Sequence, residues 1–362
     1  MKKFLTDETP FYKRLAYILF SLLSIGYIAM VGKEILAPLL FSILFSIVLL
    51  PVAKYIERKG KLPRGIASLL ALIFFVGLLS CLFYLLGTQM SRLASDWPLF
   101  KRQLAACLEN LQDWIAKDYH VNTSKQLKYI HNATDEILSS GTEIVSTTFL
   151  SLSSVLLFFV FIMIDLFFLL FYRRHILHFL VAVFKEENSD VVYAIIGQVL
   201  FIIRKYIIGL LLEMGIVSTV VCLAFWIFGI KYALLLGLLT GILNLIPYLG
   251  IFTALLLSVL ITFASASLTK VFIVICIIVA VHLMDSNILL PMVVGSRVKI
   301  NALITVLGVV IGEMIWGIPG MFLSIPVIAV LKIIFDRIES LQPWGMLLGE
   351  ESKENNVTVA KE

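Results

Sequence analysis

Residues 15–31 and 35–53 are two long apolar stretches separated only by Gly32, Lys33 and Glu34. A helix needs about 20 residues to cross the hydrocarbon core of a bilayer, so each stretch is a candidate span. Similar runs recur at 65–88, 150–172, 206–228 and 271–290, with two longer ones at 231–266 and 301–335. Over the whole chain 60% of residues are apolar and only 15% charged, against about 25% charged in soluble domains. A water-facing surface cannot be built from that supply. The composition excludes a soluble enzyme, a disordered tail and a disulfide scaffold. It points to an all-α polytopic membrane protein, with the lipid bilayer as its first partner. No small-residue cleavage pattern separates the first two runs, so the first is read as a span of a helical hairpin rather than as a signal peptide.

The net charge of +5 is explained by topology, and nucleic acid is not expected as a partner. Of the 29 Lys and Arg, 20 fall in segments 1–14, 54–64, 173–205, 291–300 and 332–362. Basic residues are enriched on the cytoplasmic side of membrane proteins, which places both termini in the cytoplasm. Cys81, Cys107, Cys222 and Cys276 show no CxxC spacing, so neither a metal site nor a disulfide framework is expected.

Four regions follow: a three-span segment (1–88), an outward insertion (89–149), a transport core (150–340) and a cytoplasmic tail (341–362). In the insertion Leu93, Trp97, Phe100, Leu104, Cys107, Leu111 and Trp114 repeat in steps of three and four, the signature of an amphipathic helix. A ligand-binding or packing surface outside the membrane fits it. Residues 187–203 are moderately amphipathic and are expected to lie in the membrane interface before the span 206–228.

The two long runs resemble each other. One reads Gly237-LLT-Gly241, then Asn244, Pro247 and Gly250; the other reads Gly308-VVI-Gly312, then Gly317, Pro319 and Gly320. Proline removes a helical donor and glycine relaxes the backbone, so each run breaks near its middle. Each half then measures about 22 Å at about 1.5 Å per residue, short of a core of about 30 Å. About six full spans plus two inverted re-entrant hairpins are expected, with Pro326 further along the second hairpin. Broken, inverted elements of this kind point to a transport site. Ordinary pairs of short tilted helices, with GxxxG used for packing, are the plainer alternative. The span 271–290 ends at a further break, Pro291.

Ionisable residues at membrane depth are costly and tend to mark pathways. The candidates are Asp165, Glu213, Asp285 and Glu313, with His282 one turn before Asp285 and with Asn244 and Asn287 as polar neighbours. Counting residues from the cytoplasmic ends puts Asp165, Glu213 and Asn244 about 10 Å deep, Asp285 about 7 Å and Glu313 about 18 Å. Packing readings stand beside these: Asp285 as a cap before Pro291, Asp165 bonded to a neighbouring helix, His282 as a satisfied packing residue.

Three stretches carry a family resemblance: Ala233-LLLGLLTGILNLIPYLG, Asp285-SNILLPMVVG and Gly312-EMIWGIPGMFLSIP. Together with the order of spans they resemble the autoinducer-2 exporter family of bacterial permeases. The resemblance implies a multi-span transporter of the bacterial inner membrane, a homo-oligomer, exporting a furanone-derived signal or exchanging sodium or lithium for protons. The leading expectation is a secondary transporter or permease that exports a small polar solute. A cation/proton antiporter is the alternative, and a cell-envelope scaffold the reading of another class. No HExxH, nucleophile elbow or P-loop is present, so neither catalysis nor a cofactor is expected.

Overall fold

The computed structural model describes residues 10–96, 98, 102, 155–184, 189–246, 249–263, 265, 267–293 and 300–350. The insertion expected at 89–149 therefore lies, beyond Asp96, almost wholly outside the described residues, and so does Pro247. The described residues are helical, with no strand among them; a single bridge pairs Ile300 with Gly349. The helices are α1 (Phe11–Val31), α2 (Lys33–Lys59) and α3 (Arg64–Ser95), then α4 (Val155–Phe171) and α5 (Arg173–Ala182). They continue with α6 (Ser189–Ile227), α7 (Ala233–Leu243), α8 (Leu249–Phe263) and α9 (Leu268–Met284). A π turn, Asp285–Leu289, leads into α10 (Leu290–Val293). After it come α11 (Ala302–Trp316), α12 (Ile318–Arg337) and a short α13 (Gln342–Leu348).

Among the described residues five helices are long and apolar enough to cross a membrane, and six if the bent α4–α5 pair counts as one. The chain is an all-α polytopic membrane protein.

Three details differ from the sequence reading. Residues 189–203 are continuous with the span that follows: α6 runs unbroken for 39 residues. No proline interrupts it, and its two cations find partners along the way. Arg204 Nε donates to the Ile47 carbonyl at 3.3 Å and Lys205 Nζ lies 6.0 Å from the Phe201 ring centre. The helix that turns aside is α5, bent 72° from α4. The arms of the second hairpin are also unequal, 15 residues in α11 and 20 in α12, because Pro326 sits inside α12 without ending it. That longer arm alone covers about 30 Å.

Small residues set the packing. A Cβ on Gly237 would come within 2.3 Å of Cys222 Sγ, and one on Gly241 within 1.9 Å of Ser218 Oγ. The GxxxG face of α7 thus lies flat and antiparallel against α6, as close helix pairs in membranes require. In the second hairpin Gly312 and Gly320 meet backbone to backbone: a Cβ on Gly320 would fall 1.9 Å from the Gly312 carbonyl oxygen. Gly317 makes the turn at φ 66 and ψ −142, a conformation that strains any residue with a Cβ.

Polar contacts fasten the two ends of the bundle. At one end Glu57 accepts from Arg173 and lies 3.5 Å from Arg64 and 4.0 Å from Arg174. At the other end Asp96 accepts from Tyr232 at 2.7 Å and pairs with Lys231 at 2.8 Å. α3 runs from the first cluster to the second. α1 is the outlier: none of its described side chains is buried, and Trp316 Nε1 ties it down by donating to the Ala29 carbonyl at 2.9 Å.

Candidate functional site

On α6, Tyr206, Leu210, Glu213 and Val217 are all buried, and their spacing makes one inward stripe. Glu213 is the acid in it, 4% exposed. Along α9 the buried positions are Val271, Val274, Ile278 and Val281; the next step of the same alternation is Asp285, 6% exposed. Asp285 opens the π turn, a rare local widening that occurs mostly at functional sites. The third member, Asn244, caps the end of α7 one turn after Gly241. The glycine contact that draws α7 onto α6 therefore also brings Asn244 alongside Glu213.

The three side chains form one group. Asn244 Nδ2 donates to Glu213 Oε1 at 3.0 Å and to Asp285 Oδ2 at 3.1 Å. The other two carboxylate oxygens, Glu213 Oε2 and Asp285 Oδ1, are buried and have no hydrogen-bond partner among the described residues. Buried polar atoms are normally satisfied, so two orphans at one spot single this place out. Gly250, expected at a hairpin tip, supports it from behind. A Cβ there would lie 1.8 Å from the Leu243 carbonyl oxygen, so α8 can fold back beside Asn244 only with glycine at that position.

Among the described residues, the remaining sequence candidates are not joined to this group by any hydrogen bond. His282 is half-buried and faces Ser286, whose hydroxyl donates to the His282 carbonyl at 2.8 Å, so its turn-wise spacing from Asp285 does not pair them. Asn287 is exposed and donates to the Leu283 carbonyl at 2.7 Å. Glu313 is exposed on α11. Asp165 on α4 is half-buried and makes no hydrogen bond or ion pair among the described residues. Pro291 lies inside α10 rather than at a chain break. Pro319 starts α12, where its missing N–H costs nothing, and Gly320 and Pro326 are buried in that helix.

Among the described residues no cluster of three or more His, Cys, Asp or Glu side chains could hold a metal ion. Two carboxylates sharing one amide donor suit a proton, a monovalent cation or the hydroxyls of a polar solute. The sequence reading missed the Glu57 cluster. Its signal was present, a single acid among five basic residues in 54–64, but only the fold brings Arg173 and Arg174 to it.

Residues 17–340, which include the whole polar group, match the family model described as AI-2E family transporter. The chain belongs to the AI-2E transporter family. Among its curated relatives, "Putative transport protein YrrI" of Bacillus subtilis (strain 168) is 30% identical over 84% of this chain and 87% of its own. "AI-2 transport protein TqsA" of Escherichia coli (strain K12) is 22% identical over 89% of this chain and 92% of its own. Membership in the AI-2E family and the multi-pass helical fold agree on a membrane transporter.

Proposed function

We propose that this AI-2E family member is a secondary transporter that carries a small polar solute out across a bacterial inner membrane. The Glu213–Asn244–Asp285 group is its coupling site. The observation that carries this reading is the pair of orphaned, buried carboxylate oxygens. A purely structural polar network closes on itself; among the described residues this one stops with two acceptors unfilled. Buried charge is stable only when paired, and one amide cannot offset two carboxylates. A proton or cation must join the pair in one state of the cycle and leave it in another. The solute assigned is autoinducer-2-like, on the similarity to the protein named AI-2 transport protein TqsA. The same observation favours a second reading, exchange of Na+ or Li+ for protons at this pair.

The positive-inside rule supports the orientation. The Glu57 end of the bundle carries Lys54, Arg58, Lys59, Lys61, Arg64, Arg173 and Arg174, and it is assigned to the cytoplasm together with both termini. Assembly into a homo-oligomer is supported by α1, none of whose described side chains is buried within one chain. Purified protein in liposomes with an imposed proton gradient tests the function. Gradient-dependent release of a labelled furanone-type solute supports export. Gradient-dependent sodium flux without solute flux selects the antiporter. Absence of both under either gradient polarity removes the coupling site from consideration.

A further inference from the structure

A cavity of about 880 Å³ opens between α2, the α4–α5 bend and the first turns of α6. It lies at the Glu57 end of the bundle, away from the Glu213–Asp285 pair. Its inner wall is apolar, built from Ile43, Ile47, Leu169, Leu177, Ile196 and Leu200. Ser46, also on the lining, has its hydroxyl turned back to the Ile43 carbonyl at 2.8 Å. A hydrated solute would find almost nothing there to replace its water.

The rim is the reverse. Lys54, Arg58, Arg173 and Arg174 face one acid, Glu57, with His178 beside them. Arg173 is committed to Glu57. Arg174 is 4.0 Å from Glu57 with its side chain 62% exposed, and Lys54 and Arg58 have no ion-pair partner among the described residues. Lys54 and Arg58 are thus left to face whatever enters, together with Arg174, whose 4.0 Å contact is the longest of the Glu57 ion pairs. α5 forms one side of the opening, where Leu180 lines the cavity, and Phe179 on it, with Val183 and Phe184 just past its end, are exposed. An apolar edge of that kind beside a basic face is typical of helices lying in the membrane interface.

We propose that this groove binds an anionic phospholipid of the basic-side leaflet, its phosphate held by Lys54, Arg58 and Arg174 and one acyl chain laid along the apolar wall. Basic pockets between membrane helices hold anionic headgroups in this way, and arginine matches phosphate geometry with paired donors. The volume falls in the range of about 300–1,000 Å³ typical of small-molecule sites. The bound lipid would brace α2 against α6, the helix that carries Glu213. Only the choice of leaflet rests on the orientation proposed above; the site itself does not depend on the transport reading.

Purified full-length protein in a non-ionic detergent is titrated with phosphatidylglycerol and, separately, with phosphatidylcholine of the same chains, and bound lipid is counted by native mass spectrometry. Wild-type protein is expected to retain phosphatidylglycerol about a hundredfold more tightly, three basic residues at roughly fivefold each. Lys54→Gln/Arg58→Gln/Arg174→Gln should abolish that preference, and Leu177→Trp should weaken both lipids together. Raised salt should erode the wild-type preference, because the rim is solvent-exposed; this measurement needs no variant to fold. Equal binding of the two lipids, a preference unmoved by salt, or displacement of the lipid by an equal concentration of inorganic phosphate would each overturn the proposal.

Discussion

Glu213 and Asp285, carried by different helices, accept from the same atom, Asn244 Nδ2, at 3.0 and 3.1 Å. The shared donor couples the two carboxylates, so a change at either one is felt by the other.

Asp285→Asn separates charge from shape. The amide oxygen can still accept from Asn244, so membrane abundance is expected to stay near wild type. Proton-gradient-driven flux in liposomes should fall to background. Wild-type flux with unchanged pH dependence in this variant would remove Asp285 from the coupling role.

Asn244→Ala strips both carboxylates of their donor. Leaving buried acceptors unsatisfied costs roughly 1–3 kcal/mol each, so thermal unfolding in detergent should shift down clearly. Adding Glu213→Gln supplies a new donor and one charge fewer, and the double variant should regain part of the loss. Purely additive effects across this cycle would mean that the two side chains do not interact.

Gly250→Ala, Gly312→Ala and Gly320→Ala each push a methyl group into a backbone carbonyl, at 1.8, 2.3 and 1.9 Å respectively. Overpacking of this kind costs about 1–3 kcal/mol, and all three should lower folded yield and thermal stability. Gly77 and Gly87 have nothing within 4 Å of an added Cβ; alanine there should be neutral. Comparable losses at all five positions would show that close packing is not the cause.

Thr269 is exposed near Lys270, at the end of the bundle opposite Glu57, and Lys59 is exposed at the Glu57 end. In a cysteine-free background Thr269→Cys should react with a membrane-impermeant thiol reagent in intact spheroplasts. Lys59→Cys should react only after lysis. The reverse pattern would invert the orientation.

The Asp96–Lys231 contact should be indifferent to pH over the working range. Lys231, then Tyr232, hold the Asp96 carboxyl below its ordinary 3.8 by hydrogen bonding, and Asp96 in turn raises Lys231 above 10.5. A lowered acid contributes above its unfolded pKa and loses that contribution only as pH falls through the folded value. A raised lysine loses its contribution only as pH climbs through its own folded value. Asp96→Asn should therefore leave the shape of the flux–pH curve between about pH 5 and 9 unaltered. A changed curve would place a titrating group at this end of the bundle.

The apolar runs by themselves determined an all-helical membrane protein. Lipid leaves the backbone no partner but itself, so long apolar segments must be helices. The turn at Gly317 was legible for a related reason, since glycine acts through local backbone chemistry; Gly250, by contrast, lies inside α8. Three of the polar candidates, Glu213, Asn244 and Asp285, proved to be one group; His282, Asn287, Glu313 and Asp165 stood apart. Depth counted along a helix cannot separate these cases, because it ignores which way a side chain points around the axis. Only tertiary packing decided it. The Gly241–Ser218 contact sets how far α7 slides along α6, and that register alone places Asn244 between two acids from distant parts of the chain. The same holds for Glu57: the apolar run 150–172 ends where α4 bends into α5, but Arg173 finds Glu57 only once the fold has formed.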